Sequence, residues 1–103
     1  MSMHDQADEL IEKIRDRLST VIDPETGADV LRMRLVEDLV VDDKGRVRYT
    51  FRPSSPLCPI AVFLVKQIKL AVANVPGVSM QNITVTGYVA SEELTQLINK
   101  ENE

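Results

Sequence analysis

Apolar residues recur along this chain with two different periods, and the switches between them outline six elements. Between Asp5 and Ser19, the residues Leu10, Ile11, Ile14 and Leu18 fall at i, i+1, i+4 and i+8, one stripe of a helix. Asp5 and Asp8 are suited to capping its start. The pattern breaks over Val21–Asp29, where Asp23-Pro24-Glu25-Thr26-Gly27 joins a proline that presets one turn torsion to a glycine that admits positive φ. Period two then predicts a strand over Val30–Val41, with Leu31, Met33 and Leu35 opposed to Arg32, Arg34 and Val36. Asp42-Asp43-Lys44-Gly45 is a hairpin turn signal. Arg46–Arg52 alternates most cleanly, with Val47, Tyr49 and Phe51 on one side and Arg46, Arg48, Thr50 and Arg52 on the other.

Three prolines in Pro53–Pro59 exclude that segment from a sheet or a helix interior. A second helix is predicted over Pro59–Ala73, with proline at its first position, and Asn74–Gly77 ends it. Gln81–Val89 reads as a third strand, and Ser91 as the cap of a short last helix with Leu94, Leu97 and Ile98 as its stripe. The order α-β-β-α-β-α implies an α+β two-layer sandwich, a small three-stranded sheet with helices packed on one face. If the second and third strands are parallel, the link between them crosses right-handed. One domain over residues 1–103 is expected, with mobile ends at 1–4 and 100–103.

Composition narrows the function. The 103 residues are 44% hydrophobic and 27% charged, ordinary for a soluble globular protein. The net charge of −4 argues against nucleic acid or an anionic membrane as partner. No apolar run approaches a membrane span, and no signal-peptide pattern opens the chain, so a cytoplasmic location is expected. His4, the only histidine, falls in the leader and reads as a bystander.

The only cysteine, Cys58, lies between two prolines in Ser54-Ser55-Pro56-Leu57-Cys58-Pro59, directly before the second helix. A thiol at a helix N-terminus meets the positive end of the dipole, which favours the reactive thiolate. Its alternative role is that of a small buried hydrophobe. With no second cysteine and no internal histidine, the count argues against a Cys-His dyad and excludes a closed structural zinc site. Asp23, Glu25 and Asp29 either serve turn chemistry or wall the Cys58 site. Arg32, Arg34, Arg46, Arg48 and Arg52 are expected to share one sheet face, either solvated or docking an acidic partner. Ile60–Val65 is apolar around the whole helix circumference, so either other elements cover it or it is an interface.

Val21-Ile22-Asp23-Pro24-Glu25-Thr26-Gly27, the strand entry at Asp29-Val30 and Leu35-Val36, Ser55-Pro56-Leu57-Cys58-Pro59 and Val75-Pro76-Gly77-Val78 together resemble the SufT/PaaD-like family of iron–sulfur cluster assembly domains, over about residues 10–89. The resemblance implies a small α+β fold and a role in maturation of iron–sulfur proteins. It also implies a site at Cys58, Pro56 and Pro59 with the acidic Asp23 and Glu25. Two departures stand out. The family's glycine in the strand entry is Arg34 here, and its tryptophan-rich C-terminal segment is replaced by Gly87-Tyr88-Val89-Ala90 and a short helix.

An iron–sulfur cluster wants about four ligands, and one chain offers one thiol. The function that the resemblance implies is a maturation factor, not an enzyme. Cys58 would be a transient ligand for a labile cluster or iron, shared with an apo-protein client, an assembly protein or a second copy of the chain. Ile60, Val62, Phe63, Arg46 and Arg48 are the expected partner contacts, and no tightly bound cofactor is expected. The rival is a protein-binding adaptor in which Cys58 is structural. A thiol enzyme ranks last for want of a general base.

Overall fold

The computed structural model describes residues 3–100. Its order is α1 (Met3–Leu18), β1 (Val36–Val41), β2 (Arg46–Phe51), α2 (Ala61–Ala73), β3 (Met80–Val85) and α3 (Ser91–Lys100). The strands lie in the order β1-β2-β3, with β1 antiparallel to β2 and β2 parallel to β3. This is the expected α+β sandwich. Residues 1–2 and 101–103, named above as parts of the mobile ends, lie outside the described residues.

Alternation decides the two faces of the sheet. Val47, Tyr49 and Phe51 of β2 and Gln81, Ile83 and Val85 of β3 are buried, while Arg46, Arg48, Met80, Asn82 and Thr84 are exposed. The buried face meets Ile14 and Leu18 of α1, Leu64, Val65, Ile68 and Val72 of α2, and Leu94 and Ile98 of α3. Each such aliphatic side chain removed from water is worth roughly 1.5–3 kcal/mol before the ordering entropy is subtracted. One polar link crosses this core. The Tyr49 hydroxyl donates to Gln81 Oε1 at 2.8 Å, and Gln81 Nε2 donates to the Lys69 carbonyl of α2 at 2.8 Å. Burial pushes the Tyr49 phenol well above its usual range, so it stays neutral and remains the donor.

The outer edge of β3 is closed by side chains of α3. Ile83 N–H donates to Asn99 Oδ1, Asn99 Nδ2 donates back to the Ile83 carbonyl, and Val85 N–H donates to Thr95 Oγ1. The Asn99 amide thereby stands in for a neighbouring strand and removes a pairing site for other chains. On β1, the register shifts between Glu37 and Val40, with Asp38 at φ 56°, and the resulting bulge interrupts that strand.

Several boundaries differ from the sequence expectation. Helix α1 begins at Met3, so Asp5 and Asp8 fall within it and not at its start. Strand β3 ends at Val85 because the chain turns through Gly87, and the Ser91 hydroxyl donates back to the Tyr88 carbonyl rather than capping α3. The largest difference is at Val30–Arg34, which is a single helical turn and not strand. Asp29 Oδ1 accepts from Arg32 N–H and starts the turn. Arg34 N–H to the Leu31 carbonyl and Leu35 N–H to the Val30 carbonyl end it in a Schellman arrangement, with Arg34 at φ 58° in the position that favours glycine. Period-two alternation in this stretch also satisfies one amphipathic turn, and the Asp29 carboxylate tips the balance.

The hairpin turn is held against the α2–β3 loop. Ser79 N–H donates to the Gly45 carbonyl, and Ser79 Oγ to that of Lys44. Gly45 has φ 78°, and a Cβ there would lie 2.0 Å from the Gly77 carbonyl oxygen. Gly45→Ala should therefore destabilise the protein by roughly 2–4 kcal/mol, combining left-handed strain with a clash against backbone. Arg34→Gly should act oppositely, raising stability by about 0.5–1 kcal/mol as relief of left-handed strain outweighs the added unfolded-chain entropy. Urea melts check both: the midpoints should move in opposite directions with unchanged m-values.

Candidate functional site

Parallel pairing of β2 with β3 sends both strands out at the same end of the sheet. Phe51 stands opposite Val85, and Thr86 N–H extends the contact by donating to the Phe51 carbonyl. Residues 52–60 and 86–90 leave from this end, and two ties fasten the first loop. Arg52 N–H donates to the Leu35 carbonyl at 2.8 Å, and Val89 N–H to the Pro56 carbonyl at 2.8 Å. The Arg52 side chain also lies over Gly87, where an added Cβ would come within 3.2 Å of Arg52 Cγ. The Gly87–Ala90 segment that stands in place of a tryptophan-rich one is thus the neighbour of the cysteine loop.

Within that loop, Cys58 N–H donates to the Ser55 carbonyl, and the Cys58 carbonyl accepts from Ala61 N–H. Helix α2 starts at Ala61, not at Pro59. Ile60, at φ −108° and ψ 13°, is its N-cap residue and makes no side-chain cap. Pro59 sits in the preceding turn, because its neighbour Ile60 does not take helical torsions. Cys58 therefore stands two residues before the N-cap, outside the first turn where the dipole acts most strongly, and the helix-terminus argument for its reactivity loses its geometric basis. Cys58 is 5% exposed and belongs to the apolar core. Its neighbours differ sharply: Leu57 is 73% exposed and Val89, tied to Pro56, is 70% exposed. Pro56 and Pro59 are exposed as well.

The acidic loop 23–29 reaches the same end of the sheet through Val30 and Leu35, yet its first carboxylate is already engaged. Asp23 is buried, its Oδ1 accepts from Glu25 N–H at 2.7 Å, and its backbone closes the turn with Gly27 and Ala28. Glu25 is exposed. The five arginines do not share one face. Arg32 and Arg34 lie in the turn before β1, and Arg52 has left β2 to cover Gly87. Only Arg46 and Arg48 remain on the open sheet face, where they line a groove of about 420 Å³ with Val40, Met80 and Asn82. Arg46 is ion-paired to Asp42, whose carboxyl is held below its ordinary range by the Arg46 backbone N–H, with the guanidinium and Lys44 N–H adding to the effect.

The all-round apolar start of α2 divides in two. Ala61, Leu64 and Val65 are buried and Ile60 is half-buried, whereas Val62 and Phe63 are exposed. Phe63 faces Ile22 across a groove of about 280 Å³ that also takes in Leu70. Ile22, Leu57, Leu70 and Val89 were not singled out by sequence reasoning. Their signal is a large apolar residue placed in a loop or between polar helix positions, and it becomes meaningful only once exposure is known. Among the described residues no three His, Cys, Asp or Glu side chains converge as a metal site, and no helix is long and apolar enough to cross a membrane.

A family model described as an iron–sulfur cluster assembly protein matches residues 11–85. An uncharacterized protein of Methanocaldococcus jannaschii is 34% identical over 92 residues, 89% of this chain and 96% of that protein. The Fe-S protein maturation auxiliary factor YitW of Bacillus subtilis is 38% identical over 69 residues, 67% of this chain and 68% of that protein. Among solved structures, a domain of unknown function from Bacillus anthracis matches with a TM-score of 0.73 at 30% identity, over 81% of this chain and 79% of that one.

Because Cys58 is a core residue, its two small replacements should separate. Cys58→Ala removes one buried atom and should cost about 1 kcal/mol, whereas Cys58→Ser adds a hydroxyl to an apolar site and should cost roughly 1–3 kcal/mol. Thermal melts that rank serine above alanine in stability would contradict the apolar placement.

Proposed function

The chain belongs to the iron–sulfur cluster assembly protein family, and from that premise we propose that it is a maturation factor that docks a client or an assembly protein over the Cys58 loop. In this reading a cluster or iron ion is cargo. Cys58 supplies one thiolate to it, and the partner or a second copy of the chain supplies the rest. The observation that carries the proposal is the pairing of a buried thiol with two of the most exposed aliphatic side chains, Leu57 beside it in sequence and Val89 tied to Pro56. A partner that binds Leu57 draws on exposed apolar surface and at the same time displaces the residue next to the sulfur. Ligand exposure is thereby linked to docking, and water is kept from the thiol until then.

Pro56 and Pro59 stiffen the loop on either side of Cys58, so displacement moves a short segment and leaves α2 in place. Ile60, Val62 and Phe63 extend the apolar contact along the first turn of α2. Arg46 and Arg48 lie on the opposite side of the sheet from the helices, so any contact they make is a separate one. Asp23 acts by fixing the turn, and Glu25 is the acidic side chain free to meet a partner. The factor works without catalysis of its own.

A second reading has its own support. The 5% exposure of Cys58 fits a purely structural thiol in an adaptor whose work is docking alone. Maturation of a client enzyme in cells, with anaerobic iron and sulfide reconstitution alongside, separates the two. Leu57→Glu and Val89→Glu, both at exposed positions, should lower client activity about tenfold or more while leaving the melting temperature nearly unchanged. Cys58→Ala should lower client activity as strongly, beyond what its loss of about 1 kcal/mol explains, and abolish iron uptake in the presence of the client. Full maturation by Cys58→Ala would sink the ligand role and leave the adaptor; full maturation by all three variants would sink docking at this loop.

A further inference from the structure

Helix α2 carries a second stripe besides the one that enters the core. Phe63, Gln67, Leu70 and Asn74 follow at i, i+4, i+7 and i+11, the spacing of one helix face, and all four line the groove whose other wall is Val21 and Ile22. Phe63 is 51% exposed, Leu70 58% and Ile22 47%, so three large apolar side chains stand open among the polar Arg17, Thr20, Gln67 and Asn74. At thirteen residues, α2 runs about 20 Å, enough to lay three turns of another helix alongside it.

Basic side chains outnumber acidic ones in and beside this groove, in a chain that is acidic as a whole. Arg17, at the end of α1, lines the groove, and no carboxylate does. One turn earlier Lys13 joins Arg17 along an adjoining cleft of about 360 Å³, where Asp16 is the single acid. Among the described residues neither Lys13 nor Arg17 has an ion-pair partner. An acidic segment would be repelled by most of this surface and drawn to this seam.

We propose that the seam between α1 and α2 receives an amphipathic helix of a partner protein, with large apolar side chains against Ile22, Phe63 and Leu70 and an acidic residue against Arg17. This rests on the docking reading above and gives the partner its chemistry. The groove begins at Phe63, in the first turn after the Cys58 loop, so a helix seated here brings the rest of its protein toward Leu57. Binding follows the helix-in-groove mode, in which apolar anchors give affinity and the rim charge gives orientation.

The probe is a synthetic helix-forming peptide of about 15 residues with leucines at i, i+3 and i+7 flanked by glutamates, and a second in which lysine replaces every glutamate. Fluorescence anisotropy should show the glutamate peptide binding, with affinity that falls as salt rises, and the lysine peptide binding far more weakly. Phe63→Asp and Arg17→Glu should each weaken the glutamate peptide about tenfold, while Lys100→Glu, a matched charge change on α3, should not. Methyl NMR shifts should cluster on Ile22 and Leu70. The peptide assay contains neither client nor iron, so failed maturation by Cys58→Ala bears only on the ligand role and not on the seam. No binding by the glutamate peptide, equal binding by the lysine peptide, shifts mapping elsewhere, or self-association in sedimentation that Phe63→Asp abolishes would each overturn the proposal.

Discussion

The parallel ladder between β2 and β3 is the constraint from which the rest of the molecule follows. Parallel neighbours cannot be joined by a tight turn, so the chain must leave β2, cross the sheet and return to the start of β3. That crossing is made by residues 52–60 and α2, and it places the Cys58 loop at the outgoing end of both strands. Residues 86–90 leave from the same end. The contacts of Val89 with Pro56 and of Arg52 with Gly87 are therefore consequences of topology and not of any local motif. Leu35, opposite this exit, completes the ring of backbone ties.

The same crossing gives α2 two duties that compete for its surface. One stripe, Ala61, Leu64, Val65, Ile68 and Val72, fills the space over the sheet. The other, running from Phe63 to Asn74, lies open beside Ile22. A helix serving stability alone would place polar residues on that second stripe. Phe63 and Leu70, alternating there with Gln67 and Asn74, leave apolar surface exposed without adding to the core. The sheet edges show the opposite tendency. Asn99 and Thr95 satisfy the backbone of β3, and the bulge at Asp38 interrupts β1, so association through strand pairing is discouraged while association through the helical side is left available.

Cys58 illustrates how a residue's address in sequence can mislead about its address in space. Prolines on both sides and a helix after it suggested a thiol on the dipole axis. The bridge-region torsions of Ile60 delay the helix to Ala61, and the intervening turn carries the sulfur into the core. Arg34 makes a related point. Its place in an alternating run suggested a strand face, but the Asp29 carboxylate starts a helical turn that Arg34 must end with positive φ. The absent glycine of the family's strand entry is thus a backbone matter, since the position asks for left-handed torsions whichever residue fills it.

By itself the sequence determined the fold class, the order of six elements, the core stripe of α1, and the single thiol that one chain can offer to a cluster. These depend on periodicity, on turn chemistry local to a few residues, and on simple counting of ligands. What only the tertiary structure decided was which exposed residues stand together. Leu57 with Val89, and Ile22 with Phe63 and Leu70, come from segments far apart in the chain, and nothing in local pattern distinguishes an apolar loop residue that will be covered from one that will not. Exposure is a property of the assembled layers. It is fixed only when the crossover closes and each side chain either finds a neighbour or is left facing water.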